Sequence, residues 1–115
     1  MAGIARGGLI PAVLLGRLLN IRNIVTIQIM SYTDRISSEK DAVITSGLDI
    51  TGRQNLLFVD DIYHTGNTYK KIQKEFPGHH YCALFSKKEK PENVIYGQYV
   101  DHDKWLNFPW ERLDL

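Results

Sequence analysis

Residues Leu56 to Thr68, L-L-F-V-D-D-I-Y-H-T-G-N-T, constrain the fold of this chain more tightly than any other stretch. Leu56 to Val59 are too few for a helix and suit a strand buried in a parallel sheet. They run into Asp60-Asp61, and after a short turn Thr65-Gly66-Asn67-Thr68 opens an amphipathic run. Gly66 reaches backbone angles closed to other residues and lets a bound group approach the main chain. Thr65 and Thr68 place hydroxyls beside the free N–H groups of the helix that begins there. Unpaired amides, hydroxyls and the helix dipole together hold a phosphate dianion. The two carboxylates upstream repel phosphate; they suit sugar hydroxyls or a divalent cation, one sugar's width away. The bland alternative is an ordinary strand–turn–helix with a solvated acid pair, but strand, acids and anion cradle in this order describe a sugar 5-phosphate site.

Asp60-Asp61-Ile62-Tyr63-His64-Thr65-Gly66-Asn67-Thr68 resembles the phosphoribosyl pyrophosphate (PRPP) signature of type I phosphoribosyltransferases. The resemblance implies that Asp60 and Asp61 face the ribose 2- and 3-hydroxyls, and that Asp61 also meets Mg²⁺. It implies that the segment from Ile62 through Tyr63 and His64 to Thr65, Gly66, Asn67 and Thr68 wraps the 5-phosphate. The fold it implies is α/β, a mostly parallel twisted sheet flanked by helices, with a flexible hood and a C-terminal aromatic flap.

Composition excludes several other classes. At 115 residues the chain reads as one domain spanning 1–115, long enough for a real core. Its formal net charge of +1 offers no bulk attraction to nucleic acid or membranes. The single cysteine, Cys82, excludes an internal disulfide and fits a reducing cytosol, so a cytoplasmic location is expected. Within an apolar run, Cys82 reads as a buried, inert thiol. No apolar stretch approaches the ~20 residues of a membrane span, and no signal sequence leads the chain.

Upstream, Gly3-Ile4-Ala5-Arg6-Gly7-Gly8 precedes a helical pattern from Leu9 to Asn20, with Ile10, Val13, Leu14, Leu18 and Leu19 as its apolar stripe and Pro11 in its first turn. Gly7-Gly8 makes a tight turn where backbone meets an anion, with Arg6 beside it. A strand ending R-G-G-L-x-P-A resembles the pyrophosphate loop of the purine-using branch, which implies that Arg6 and Gly7 face the diphosphate of PRPP. Relatives carry a further helix and the start of this strand, so the first strand is expected to be short and weakly held at its exposed end.

Asn23 to Met30 alternates as a strand. A polar segment follows from Thr33 to Asp41, and Ala42–Thr45 with Leu48–Thr51 around Ser46-Gly47 reads as a hairpin. By resemblance, residues 31–55 form the hood that closes over PRPP, with Tyr32, Arg35 and Lys40 as candidates to reach the diphosphate. Tyr69, Ile72, Gln73 and Phe76 then space a helix that Pro77-Gly78 ends, Tyr81–Phe85 forms a short buried strand, and Val94–Val100 forms another.

The tail, 87–115, narrows the resemblance to the 6-oxopurine branch, which includes the xanthine-guanine enzymes. Phe85-Ser86-Lys87 matches a strand ending F-x-K, whose lysine meets the purine 6-oxo group. Asp103 to Glu111, D-K-W-L-N-F-P-W-E, matches a motif whose first tryptophan stacks on the base. Lys87, Trp105 and the backbone of Leu106 are therefore the implied base contacts, while Phe108 and Trp110 read as burial of the tail.

Together these matches imply displacement of magnesium pyrophosphate from PRPP by a purine nitrogen, giving a nucleoside monophosphate, in a homo-oligomer of two or four chains. One position departs from the pattern. The branch carries an aspartate immediately before T-G-x-T, as the base that takes the N7 proton, and here it is His64. An imidazole with an ordinary pKa of about 6.5 also accepts a proton at neutral pH. His64 and the short amino end keep a second reading open, a non-catalytic PRPP- or nucleotide-binding regulatory module on the same fold. A P-loop hydrolase is set aside because no G-x-x-x-x-G-K-[ST] is present.

Overall fold

The brief first strand becomes the centre of the sheet. In the computed structural model, which describes residues 1–33, 40–47 and 50–111, β1 (Ala2–Ala5) pairs in parallel with β2 (Val25–Thr33) on one side and with β4 (Leu57–Tyr63) on the other. Its start is tied to the segment leading into β2 by two hydrogen bonds. The terminal amine of Met1 donates to the Asn23 carbonyl at 3.1 Å, and the Met1 carbonyl accepts the Val25 N–H at 2.9 Å. Outward from β4, β5 (His80–Ser86) and β6 (Ile95–Tyr99) add in parallel, and β3 (Lys40–Ser46) closes the opposite edge antiparallel to β2. The order β3-β2-β1-β4-β5-β6 makes a mostly parallel, open α/β sheet.

Helix α1 (Leu9–Leu18) links β1 to β2, and α2 (Asn67–Glu75) links β4 to β5. These crossovers step away from the sheet centre in opposite directions. Since such connections are right-handed, the helices lie on opposite faces. Strand alternation then divides the core. Phe58 and Tyr81 pack with Ile72 and Phe76 on the α2 side, while Val59 and Cys82 pack with Ala12 and Met1 on the α1 side. Phe76 stacks on Phe58 with centroids 5.9 Å apart, and α2 ends there, before Pro77-Gly78, as its spacing predicts.

Two local expectations are corrected. The apolar stripe of α1 does not face the sheet: Ile10, Val13, Leu14, Leu18 and Leu19 are exposed, and Pro11, Ala12 and Gly16 are buried instead. Small residues permit a closer approach than leucines would. A Cβ at Gly16 would meet Ile24 Cδ1 at 2.8 Å, and one at Gly3 would meet Ala12 Cβ at 3.0 Å. The hairpin expectation also changes: Ala42–Thr45 pair with β2, in a register running from Gln28↔Ser46 to Thr33↔Lys40, while Leu48 and Asp49 of the expected second arm lie outside the described residues. Gly47, at φ 97°, sits against the Thr26 carbonyl and Ile27 backbone, and Ile50 beyond it plugs the core at 1% exposure.

Candidate active site

Parallel strands deliver their carboxyl ends to one edge, where open α/β sheets bind ligands. Here β1 brings Arg6-Gly7-Gly8 to that edge, and its neighbour β4 brings the acid pair. The loop lies directly on β4. A Cβ at Gly8 would fall 2.1 Å from the Val59 carbonyl, and one at Gly7 would fall 2.1 Å from Asp61 Oδ2. Gly8 faces main chain and admits no side chain, whereas a side chain at Gly7 would have to displace the Asp61 carboxyl. The Ala5–Arg6 peptide is cis, and Arg6 is exposed. The structure thus sets the loop that carries Arg6 and Gly7 against the acid pair on β4, Gly7 lying at Asp61.

Both acids lie within β4 rather than in the turn beyond it, because β4 continues to pair with β5 through Asp60↔Ala83, Ile62↔Phe85 and Tyr63↔Ser86. Alternation turns them to opposite faces. Asp61 points towards the Gly7 loop, its Oδ1 accepting the Ile62 N–H at 2.7 Å. Asp60 points towards the α2 side, where Oδ1 accepts the Asp61 N–H at 2.8 Å and Oδ2 accepts the Tyr81 hydroxyl at 2.9 Å. Burial, followed by the neighbouring Asp61 carboxyl, pushes Asp60 up to about 8. Tyr81 is raised well above the ordinary phenol range by burial and by the charge of Asp60, so its hydroxyl remains a donor. Cys82 is buried as expected, and burial raises its thiol to about 11.

The cradle follows at once. Gly66 takes the left-handed conformation, φ 84°, at the N-cap of α2, and its carbonyl accepts the Lys70 N–H at 2.8 Å. A Cβ there would also strike the Tyr63 hydroxyl at 2.6 Å. Thr65 Oγ1 accepts the Asn67 N–H at 3.3 Å. Residues Ile62 to Tyr69, with Tyr81 beneath, line a cavity of about 80 Å³. That is the room of a few waters. His64 and Thr65 stand exposed at its rim.

Base-side candidates gather at the ends of β5 and β6. The Lys87 N–H donates to the Tyr63 carbonyl at 2.8 Å, continuing the β4–β5 pairing to the edge. Buried Ser86 pins the following turn, its Oγ donating to the Lys88 carbonyl at 2.6 Å. Lys87 Nζ reaches across to the tail, donating to the His102 carbonyl at 3.3 Å and to the Lys104 carbonyl. Trp105 follows directly, 83% exposed, its indole N–H donating to Asn107 Oδ1 at 3.0 Å, and Leu106 is half-buried. Phe108 is buried against Phe85 and stacks on Trp110 with centroids 4.8 Å apart, so the tail docks as expected. Among the hood candidates, Arg35 and the side chains of Tyr32 and Lys40 lie outside the described residues.

Sequence reasoning missed Tyr81, seen only as part of a buried strand. A tyrosine in an otherwise apolar strand is itself a signal, since a buried hydroxyl requires a partner.

Among the described residues no group of three or more His, Cys, Asp or Glu gathers to hold a metal. Mg²⁺ does not demand such a group, because it is commonly held by one or two carboxylates together with substrate phosphates and water. Asp61, with Oδ2 turned to the Gly7 loop, offers such a carboxylate.

Acids, a glycine loop and a glycine-capped helix start on one carboxyl edge define an open α/β protein with its candidate site at that edge. The chain matches no protein-family model. It is 37% identical to the xanthine-guanine phosphoribosyltransferase of Chromohalobacter salexigens over 112 residues, 96% of this chain and 67% of that protein. Of solved structures, a hypothetical protein from Neisseria gonorrhoeae with bound ppGpp superposes with a TM-score of 0.73 at 26% identity, over 99% of this chain and 74% of that one. A purine phosphoribosyltransferase from Pyrococcus horikoshii gives 0.68 at 29% identity, over 99% and 77%. The chain belongs to the xanthine-guanine phosphoribosyltransferase family, a family of enzymes.

Proposed function

We propose that this chain transfers the 5-phosphoribosyl group of PRPP to a 6-oxopurine (guanine, xanthine or hypoxanthine), releasing pyrophosphate and a nucleoside monophosphate. The observation that carries the proposal is the junction of three groups on one edge: the Gly7 loop against Asp61, the Asp60–Asp61 pair, and the left-handed Gly66 cradle. Phosphate, ribose and diphosphate each meet a suitable surface in the order in which PRPP carries them.

In this reading the Thr65–Thr68 cradle anchors the 5-phosphate, and Asp60 and Asp61 hold the ribose hydroxyls. Arg6 and Gly7 receive the departing diphosphate. The bond from the anomeric carbon to the diphosphate oxygen breaks, a bond to the purine nitrogen forms, and His64 takes the proton that nitrogen loses. The ribose passes through a cation-like state, so positioned charge and exclusion of water do most of the catalysis. Asp61, together with the substrate, would hold Mg²⁺, which when bound would neutralise charge on the diphosphate. Lys87 faces the 6-oxo group, Trp105 covers the base and Leu106 offers backbone groups to its edge. Lys87 now rests on carbonyls of the 102–104 segment, which keeps lysine and tail together where a base would sit.

We extend the proposal to a homo-oligomer working in the cytoplasm. No helix among the described residues is long and apolar enough to cross a membrane, and the apolar outer face of α1 supports self-association.

A second reading, a non-catalytic PRPP- or nucleotide-binding regulatory module, has one observation in its favour, the ppGpp bound to the Neisseria gonorrhoeae neighbour. Pyrophosphate release separates the two. With Mg²⁺, we expect release to require both PRPP and a 6-oxopurine, and the Asp60→Asn/Asp61→Asn double variant to lose at least about a hundredfold in kcat/KM. PRPP binding without turnover of any purine favours the module.

A further inference from the structure

Asp60 is held at both oxygens, one by the adjoining backbone and one by a side chain that no motif contains. The Tyr81 hydroxyl reaches Oδ2 from β5, 21 residues away in sequence, and Tyr81 is 1% exposed. Its ring continues the contact towards the cradle. Tyr81 meets Tyr69 edge-on at 5.2 Å, Tyr69 meets Tyr63 edge-on at 6.0 Å, and the Tyr63 hydroxyl lies 2.6 Å from where a Cβ on Gly66 would be. Three tyrosines thus run beneath the site from the ribose-facing acid to the glycine that opens α2, and Tyr81 itself lines the cradle cavity.

We propose that Tyr81 is a positioning residue: its hydroxyl fixes the orientation of the Asp60 carboxyl, and its ring, through Tyr69 and Tyr63, sets the distance from that carboxyl to the phosphate cradle. The inference rests on the transferase function proposed above. Two donors determine the plane of a carboxyl group, whereas one leaves it free to rotate about its terminal bond, a broad and weakly restrained torsion. The backbone donor from Asp61 is present in any residue pair at this place. The Tyr81 hydroxyl is the donor that side-chain chemistry adds. A carboxyl that must meet ribose hydroxyls as charge develops on the sugar gains from being oriented beforehand.

Tyr81→Phe tests this, because it keeps the ring stack and removes one oxygen. With saturating Mg²⁺ and guanine, kcat is expected to fall about tenfold while KM for PRPP stays within about twofold, the pattern of an interaction made in the transition state. A merely structural role would lower thermal stability and leave kcat of the folded fraction unchanged. Unchanged kcat in the folded variant, or a rise in KM matching any loss of kcat/KM, overturns the proposal. If the wild-type chain turns over no purine, the transferase reading fails on that result alone. The Tyr81 assignment is then decided by a crystal structure of Tyr81→Phe. A rotated or doubled Asp60 carboxyl upholds the positioning, and one orientation unchanged from the wild type overturns it.

Discussion

In the ligand-free protein Asp60 is pushed towards its protonated form, because its surroundings offer a carboxylate too little compensation. Burial, and then the Asp61 carboxyl beside it, raises it to about 8, against an ordinary value near 3.8. The folded pKa therefore lies above the unfolded one, and the stability it contributes is fully present below about 4. Between there and about 8 the unfolded chain has released a proton that the folded chain keeps, so stability declines by up to about 1.4 kcal/mol per pH unit from this group. We expect the urea midpoint of the ligand-free protein to fall from pH 5 to pH 8, and Asp60→Asn to show a shallower fall. Equal slopes in the two proteins would refute the assignment. A bound cation or ribose hydroxyl favours the ionised acid, so ligands supply what the empty site lacks. The acids and T-G-x-T were legible in the sequence because their chemistry is local. The Tyr81 contact was not, since it depends on the β4–β5 register that sets Phe58 opposite Tyr81.

At the scale of elements, strand and helix positions were read well where apolar spacing and breakers agreed, as in α2 between Gly66 and Pro77. Reading failed where packing followed residue size instead of hydrophobicity. In α1 the leucines and isoleucines define the obvious stripe, yet the helix rests on Pro11, Ala12 and Gly16. Linear sequence does not reveal how close β1 and β4 draw the helix. The same argument sets unequal costs for two substitutions of comparable size. Gly16→Val places a Cβ 2.8 Å from Ile24 Cδ1 and 3.0 Å from the Ile21 carbonyl, and overpacking of this kind costs roughly 1–3 kcal/mol. Val13→Ala, on the open face, is expected to change the unfolding free energy of the monomer by less than about 0.5 kcal/mol. Denaturant titration of both variants at low protein concentration checks the contrast; equal losses would mean that the helix face is misassigned.

For the whole molecule, the face that α1 occupies is only partly covered. The link from β5 to β6 carries no helix, so beyond α1 the sheet presents Leu57, Val59, Cys82, Leu84, Ile95 and Gly97 to a groove of about 330 Å³. Leu15 and Leu19 form its wall, and the outer side of α1 continues the apolar surface through Leu14 and Leu18. The mostly parallel sheet was expected from the sequence, but its strand order and this open face were not, because the face follows from a missing crossover helix and from the outward turn of α1. Apolar surface that is contiguous over a helix and an adjoining sheet associates in water. In sedimentation velocity the chain is expected to migrate as a dimer or larger, with dissociation on dilution. Leu14→Glu with Leu18→Glu places charges on this surface without touching Asp60, Asp61 or the Gly66 cradle. The double variant should shift the population towards monomer, since an unpaired charge buried in an interface costs several kcal/mol. A wild-type chain that is monomeric at every concentration, or a double variant with the wild-type sedimentation coefficient, would show that copies of this chain do not meet through α1.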